Sequence, residues 1–130
     1  MKVSLPALPA VVSPRKVTAT RRDLPVPEVV ADAVEVFRVL ASPARLRLLH
    51  ALTHREMSVG DLARAMSLSL SVTSHQLALL RRMKLVAARD EGRLTFYRAI
   101  DPLVGHLVHD CLAHVGAPRS HGAGKRRAAR

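Results

Sequence analysis

The stretch from Ser67 to Arg82 constrains the fold of this chain most, because its spacing predicts a helix with two different faces. Apolar side chains predicted to point inward are Val72, Leu77, Leu80 and Met83. A second set recurs at i, i+3, i+4, i+7 and i+11 and shares an outward stripe: Ser71, Ser74, His75, Ala78 and Arg82. Short polar side chains without an acid suit close approach to the major groove of DNA. An ordinary surface helix that begins at Ser69 is the alternative.

The flanking segments favour the DNA-binding interpretation. Upstream, residues 57–66 have a helical apolar pattern, and Ser58 followed by Asp61 resembles a capping box. A short helix, a tight connection and a longer helix make a helix-turn-helix. Downstream, residues 85–100 contain two strand-like runs around Gly92, which supplies the positive φ of a hairpin turn, and Arg89, Arg93 and Arg98 lie on that hairpin. The predicted fold is mainly α with a β-hairpin wing, a winged helix-turn-helix.

The remaining segments predict one domain between two basic tails. Residues 1–26 contain four prolines and no persistent helical period, so we expect a flexible basic arm. Helices are expected over residues 27–41, from Pro43 after the cap Ser42, and from Pro102 to about Val115. In the last helix we expect an apolar face that contains Leu103, Val104, Leu107, Cys111 and Val115. Residues 27–116 would form the DNA-binding and dimerisation domain, and residues 117–130 a disordered tail.

Five short motifs closely resemble the ArsR/SmtB family of bacterial winged-helix transcription repressors. They occur in the family's order at residues 37–49, 57–62, 72–77, 79–82 and 91–97, and the resemblance covers roughly residues 28 to 116. The resemblance implies a homodimer and a cytoplasmic DNA-binding regulator. Within it, Ser71, Ser74 and His75 are expected to contact DNA, flanked by Arg82 and the wing residue Arg93.

The charge distribution supports double-stranded DNA as the partner. The formal net charge is +11, of which residues 1–26 carry +4 and residues 116–130 carry +5. Residues 64–100 hold seven Arg or Lys against Asp90 and Glu91, so positive charge follows the predicted recognition helix and wing. No apolar run is long enough to cross a membrane, and prolines interrupt the apolar stretch at the N-terminus. We therefore expect a cytoplasmic protein with no membrane partner.

The resemblance also raises a metal site in the last helix, bridging two subunits. Of the usual four ligands, Asp101 and His114 match, whereas Leu103 and Ala117 replace the other two. Ser58 stands where another type of family site has a cysteine, which argues against a soft-metal sensor. Substitutes for the missing ligands are Asp110, His106 and His109, with His121 in the tail. Such a set would suit Ni, Co or Zn. The alternative is that Asp101 is only a helix N-cap and Asp110 and His114 an ordinary helical pair.

Three functions therefore compete. The first is a homodimeric, sequence-specific transcription regulator on a palindromic operator, either metal-responsive or answering to another ligand or an accessory protein. The second is a non-specific architectural DNA-binding protein that uses its basic tails. An enzyme is disfavoured, because the sequence has no phosphate-binding glycine loop, no nucleophile elbow and no catalytic Cys–His pairing.

Overall fold

The computed structural model describes residues 6–118 and contains six helices and a three-stranded antiparallel sheet. In chain order the elements are α1 (Pro14–Asp23), α2 (Pro27–Leu40), α3 (Pro43–His54), β1 (Met57–Ser58), α4 (Val59–Met66), α5 (Leu70–Arg82), β2 (Val86–Glu91), β3 (Leu94–Ala99) and α6 (Pro102–Gly116). This mainly α architecture with a hairpin confirms the predicted winged helix-turn-helix.

The chain divides into two compact units between Glu35 and Val36. The first contains α1 and the start of α2, and none of residues 6–35 is buried. The sequence predicts a flexible arm without a persistent helical period over residues 1–26, and the structure places the helix α1 within that segment. Ser13 accepts a hydrogen bond from the Lys16 backbone N–H at 3.4 Å, and Pro14 occupies the first helical position. Local capping starts this helix, so it needs no apolar period.

The core of the second unit lies between α3, α4, α5, α6 and the sheet. The largest fully buried side chains are almost all aliphatic: Leu48, Leu49, Leu62, Leu77, Leu80, Leu85, Val86, Val108 and Thr73. A core of leucine and valine agrees with an aromatic content of only 2%. Ser42 caps α3 before Pro43, as the sequence predicts.

Capping residues at both helix starts fix the helix-turn-helix. Ser58 accepts from the Asp61 N–H at 3.2 Å, and Ser69 accepts from the Val72 N–H at 3.1 Å. Between them, Ser67 adopts the left-handed conformation with φ 55°, which ends α4 and turns the chain toward α5. The predicted starts of both helices are confirmed.

The buried face of α5 differs from the prediction at one position. Val72 is 44% exposed, and Thr73 is fully buried instead. Thr73, Leu77 and Leu80 form a regular helical stripe, whereas Val72 lies about 140° away from Leu77 at about 100° per residue. A polar residue can occupy this position because the Thr73 hydroxyl donates to the Ser69 carbonyl at 2.8 Å.

The wing is an antiparallel hairpin extended by a short third strand. Strands β2 and β3 pair from Val86↔Ala99 to Glu91↔Leu94, and Gly92 turns the chain with φ 62°, as predicted. Strand β1 pairs with β3 through Met57↔Tyr97 and Ser58↔Phe96. Two residues carry no alternating pattern, so the sequence did not predict β1. Its pairing connects the start of α4 to the wing.

Within one subunit, the last helix buries only Val104 of the apolar face that the sequence predicts. Val104, Gly105 and Val108 are buried, whereas Leu103, Leu107, Cys111 and Val115 are exposed. Helix α6 packs against α3, and a Cβ at Gly105 would lie 3.2 Å from Thr53 Cγ2. The absence of a side chain at Gly105 therefore permits the close approach of α6 to α3. The helical spacing of this segment could not say which apolar face would meet α3.

The exposed residue Lys84, which ends α5, offers a test of backbone strain. It has φ 58°, a conformation in which glycine has no steric penalty. We expect Lys84→Gly to be more stable than Lys84→Ala by about 0.5–1 kcal/mol, after allowance for the greater freedom of glycine in the unfolded chain. The alanine variant controls for loss of the charge. Urea unfolding measures the difference, and a glycine variant no more stable than the alanine variant would contradict it.

Candidate nucleic-acid interface

Every side chain of the outward stripe of α5 is exposed in the single chain, so a partner molecule can reach it. Ser71, Ser74, His75, Ala78 and Arg82 are all exposed, as their spacing predicts. Their side chains are short along most of the helix, and the only charged member, Arg82, lies in the last turn. The helix therefore presents a narrow polar surface that a groove could admit closely.

The position of α5 is fixed from the inside by apolar packing and by one polar contact. Thr73, Leu77 and Leu80 are buried in the core. The Arg45 guanidinium donates to the Gln76 side-chain oxygen at 3.0 Å and to the Val39 carbonyl at 2.6 Å. Arg45 thereby connects α5 to α3 and to the end of α2. The sequence analysis did not single out Arg45 or Gln76, because their contact joins residues 31 positions apart.

Arg89, in the middle of β2, connects the wing to Glu56, which precedes β1. Its guanidinium donates to the Glu56 carboxylate at 2.6 and 2.9 Å and to Glu91 at 2.7 Å, and it lies 4.7 Å from the centre of the Phe96 ring. The hydrogen bond from Arg89 lowers the pKa of Glu56 below its ordinary value of 4.5. The interaction is therefore complete above that value and is lost as the pH falls through the lowered pKa. Arg89 is thus held by two carboxylates, and Arg93 and Arg98 of the same hairpin are exposed.

The tip of the wing and the start of α5 lie on the same side of the molecule. Arg93 and Leu94 line a cleft of about 450 Å³ together with Leu70, the first residue of α5. Thr95 donates to Asp90 at 2.9 Å and joins the two strands near the turn. The wing therefore presents Arg93 near the beginning of the outward stripe, while Arg82 lies at its other end.

Comparison with known proteins identifies the family. Residues 42–88 match the model of the bacterial regulatory protein arsR family. The chain is 41% identical over 95 residues to the HTH-type transcriptional regulator KmtR of Mycobacterium tuberculosis, covering 69% of this chain and 73% of the relative. It is 44% identical over 81 residues to a transcriptional repressor SmtB homolog of Synechocystis, covering 62% of this chain and 61% of that protein. The chain belongs to the ArsR family.

A solved structure agrees with the family assignment. The homodimeric winged helix-turn-helix DNA-binding domain of a possible ArsR-family regulator from Mycobacterium bovis has a TM-score of 0.63 and 27% identity, covering 88% of this chain and 98% of that domain. The motif order predicted from the sequence is thus confirmed at the level of family and fold.

Within one subunit, the structure shows the surroundings of the residues that the ArsR resemblance proposes as metal ligands in the last helix. Asp101 Oδ1 accepts from the backbone N–H groups of Leu103 and Val104, at 3.1 Å each, and so caps α6. His106, His109, Asp110 and His114 are exposed along the helix. Within residues 6–118 no three His, Cys, Asp or Glu side chains are arranged to hold a metal. His121 lies outside the described residues.

The structure does bring His109 next to two histidines that the sequence analysis missed. The His109 ring centre lies 6.5 Å from that of His50 and 6.1 Å from that of His54. A signal was present in the sequence, because two histidines four residues apart share one face of a helix. Their partner on α6 could not be predicted, because it depends on which face of α6 meets α3.

The Arg45–Gln76 contact predicts a measurable coupling between α3 and α5. We expect Arg45→Met and Gln76→Met to show a coupling free energy of about 1 kcal/mol in a double-mutant cycle, because each single change leaves a partly buried group unpaired. Arg47→Met, which removes an exposed arginine from the same helix, is the control. Chemical denaturation of the four proteins measures the coupling, and strictly additive effects would refute it.

Proposed function

We propose that the protein is a transcription regulator that binds a palindromic operator as a homodimer. The observation that carries the proposal is the exposed, acid-free stripe of α5 beside the exposed Arg93 of the wing. Membership of the ArsR family supports it. A regulator of this kind works in the cytoplasm. None of the helices in residues 6–118 is long and apolar enough to cross a membrane.

In this proposal α5 enters the major groove. Ser71, Ser74 and His75 reach base edges and nearby phosphates, because hydroxyl and imidazole groups can donate or accept hydrogen bonds. Arg82 and Arg93 neutralise phosphates on either side and set the register of the helix on the duplex. The contacts of Arg89 with Glu56 and Glu91 orient the wing, so Arg93 reaches the backbone while α5 occupies the groove.

The exposed apolar surfaces support the homodimer. Leu103, Leu107 and Val115 of α6 are 78%, 42% and 53% exposed, and Phe37 of α2 is 58% exposed. Large aliphatic and aromatic side chains of this kind are covered when subunits associate. Two subunits related by a two-fold axis present two α5 helices to two half-sites. The M. bovis domain of similar fold is described as homodimeric.

The last helix does not supply the regulatory signal in this proposal, because Asp101 is used as a cap and two of the expected ligands are absent. A non-specific architectural protein remains the competing function. It would lack strong preference for one site, whereas a regulator prefers its operator by about 10³-fold or more over other DNA.

The outward stripe predicts the first DNA-binding test. Ser74→Ala combined with His75→Ala should lower operator affinity by about tenfold or more, since each lost base contact costs about 1–3 kcal/mol, and should lower affinity for unrelated DNA much less. Fluorescence anisotropy with the operator found by selection measures both affinities. His106→Ala in metal-free buffer is the control, because His106 is an exposed histidine of α6. Unchanged operator affinity in the double variant would remove α5 from the interface.

The basic side chains of α1 predict a salt effect. Arg15, Lys16, Arg21 and Arg22 are exposed on this helix, which gives eight such side chains in a homodimer. Their change to Gln should make the slope of log affinity against log salt shallower by up to about 7, at about 0.9 per phosphate contact. Site preference should be kept, because phosphate contacts carry no sequence information. Changing Glu28 and Asp32 of α2 to Gln controls for altered helix charge. An identical slope would show that α1 does not approach the DNA.

A further inference from the structure

Three histidines form a cluster where α3 and α6 meet. The centre of the His50 ring lies 4.6 Å from that of His54 and 6.5 Å from that of His109, and the remaining pair is 6.1 Å apart. His54 and His109 are exposed and His50 is half-buried. Imidazoles that share one tetrahedral metal, each nitrogen 2.0–2.1 Å from it, have ring centres about 5 Å apart. The cluster is therefore close to the spacing that a metal requires.

The packing of the two helices explains the cluster. His50 and His54 lie one turn apart on α3 and share a face. Gly105 of α6 faces Thr53, which lies between them in the sequence, and a Cβ added at Gly105 would lie 3.2 Å from Thr53 Cγ2. His109 follows Gly105 by one helical turn, so it meets the two histidines of α3. A side chain at 105 would require Thr53 or α6 to shift by a few tenths of an ångström.

The surroundings of two of the rings suit metal binding. His54 Nδ1 lies 2.8 Å from the His50 carbonyl oxygen, and an Nδ1–H that donates to this carbonyl leaves the Nε2 lone pair free. An N–H bonded to a carbonyl in this manner is the usual support of a metal-ligating histidine. Among the described residues, His50 Nδ1 is a buried nitrogen without a hydrogen-bond partner. Such an atom is costly to leave unpaired.

We propose that His50, His54 and His109 bind one divalent transition metal within each subunit. In the conformation of the structure the three side chains are not yet arranged around a common point, so binding includes rotation of the rings about their side-chain bonds. Two of the three rings are exposed and can turn without disturbing the core. The metal would connect α3 to α6 at a place distinct from Asp101 and His114.

The nitrogen ligands of the three histidines determine which class of metal ion the site would bind. Three neutral imidazoles and no thiolate favour Co, Ni or Zn over Mg or Ca. A cleft of about 260 Å³ borders His50 and His54 and leaves room for water as a further ligand. Arg55 also lines this cleft, and its charge weakens the attraction for a cation. The site therefore differs from a closed structural zinc site with four protein ligands.

Metal titration of the full-length protein without DNA tests the proposal independently of the proposed function. Chelator-stripped protein is titrated with cobalt, nickel or zinc chloride, and the readouts are the visible absorption of Co(II), competition with a chromophoric chelator and the thermal midpoint. We expect one metal per subunit and a rise in the midpoint, since the metal binds the folded chain. His54→Gln and His109→Gln should each weaken binding by at least about tenfold.

The control is His106→Gln, which removes an exposed histidine of α6 outside the cluster and should bind as the wild type does. Circular dichroism and elution volume confirm that the variants fold. Binding unaffected by His54→Gln and His109→Gln would overturn the proposal. Binding lost in His114→Ala but kept in those two variants would also overturn it and place the metal in the last helix.

Discussion

Burial of one stripe of α5 determines which side chains of this helix are exposed. Thr73, Leu77 and Leu80 are fully buried, and this fixes the rotation of the helix about its own axis. A rotation by one residue, about 100°, would bury Ser74 and expose Thr73. The Arg45–Gln76 hydrogen bond adds a directional contact to this apolar packing, which by itself has no direction. The outward face of α5 is thus a consequence of its inward face.

The wing depends on a different kind of interaction. A two-stranded hairpin alone is barely stable in water. Here β1 adds a third strand, and Arg89 joins Glu56, which precedes β1, to Glu91 at the end of β2. Exposed ion pairs contribute little individually, but this arginine also packs on Phe96 and meets two carboxylates. These contacts connect the hairpin to the segment before β1, and Arg93 in the turn lines one cleft with Leu70 of α5.

The accuracy of the sequence-based predictions depended on whether a feature was local. Caps at Ser42, Ser58 and Ser69 and the positive φ of Gly92 are set by neighbouring residues, and all were predicted. Helix α1 also starts at a local signal, Ser13–Pro14, but none of its residues is buried, so no apolar period marked it. Val72 was predicted to point inward because it is apolar. The buried position is held by Thr73, whose hydroxyl donates to the Ser69 carbonyl. The faces of α6 were not predictable, since they depend on contact with α3.

Helix α6 carries two places where a metal ligand could lie, Asp101 at its start and His109 on the side that meets α3. Asp101 Oδ1 accepts two backbone N–H groups and caps α6, and losing such a cap costs about 0.5–2 kcal/mol. A metal that displaced this cap would have to offset that cost, and two of the expected ligands are replaced by Leu103 and Ala117. His109, on the side of α6 that meets α3, does not cap the helix. Its neighbour His54 is already oriented by the contact between His54 Nδ1 and the His50 carbonyl oxygen. The close packing at Gly105 thus favours the α3–α6 junction over the helix start as the place where a cation would bind.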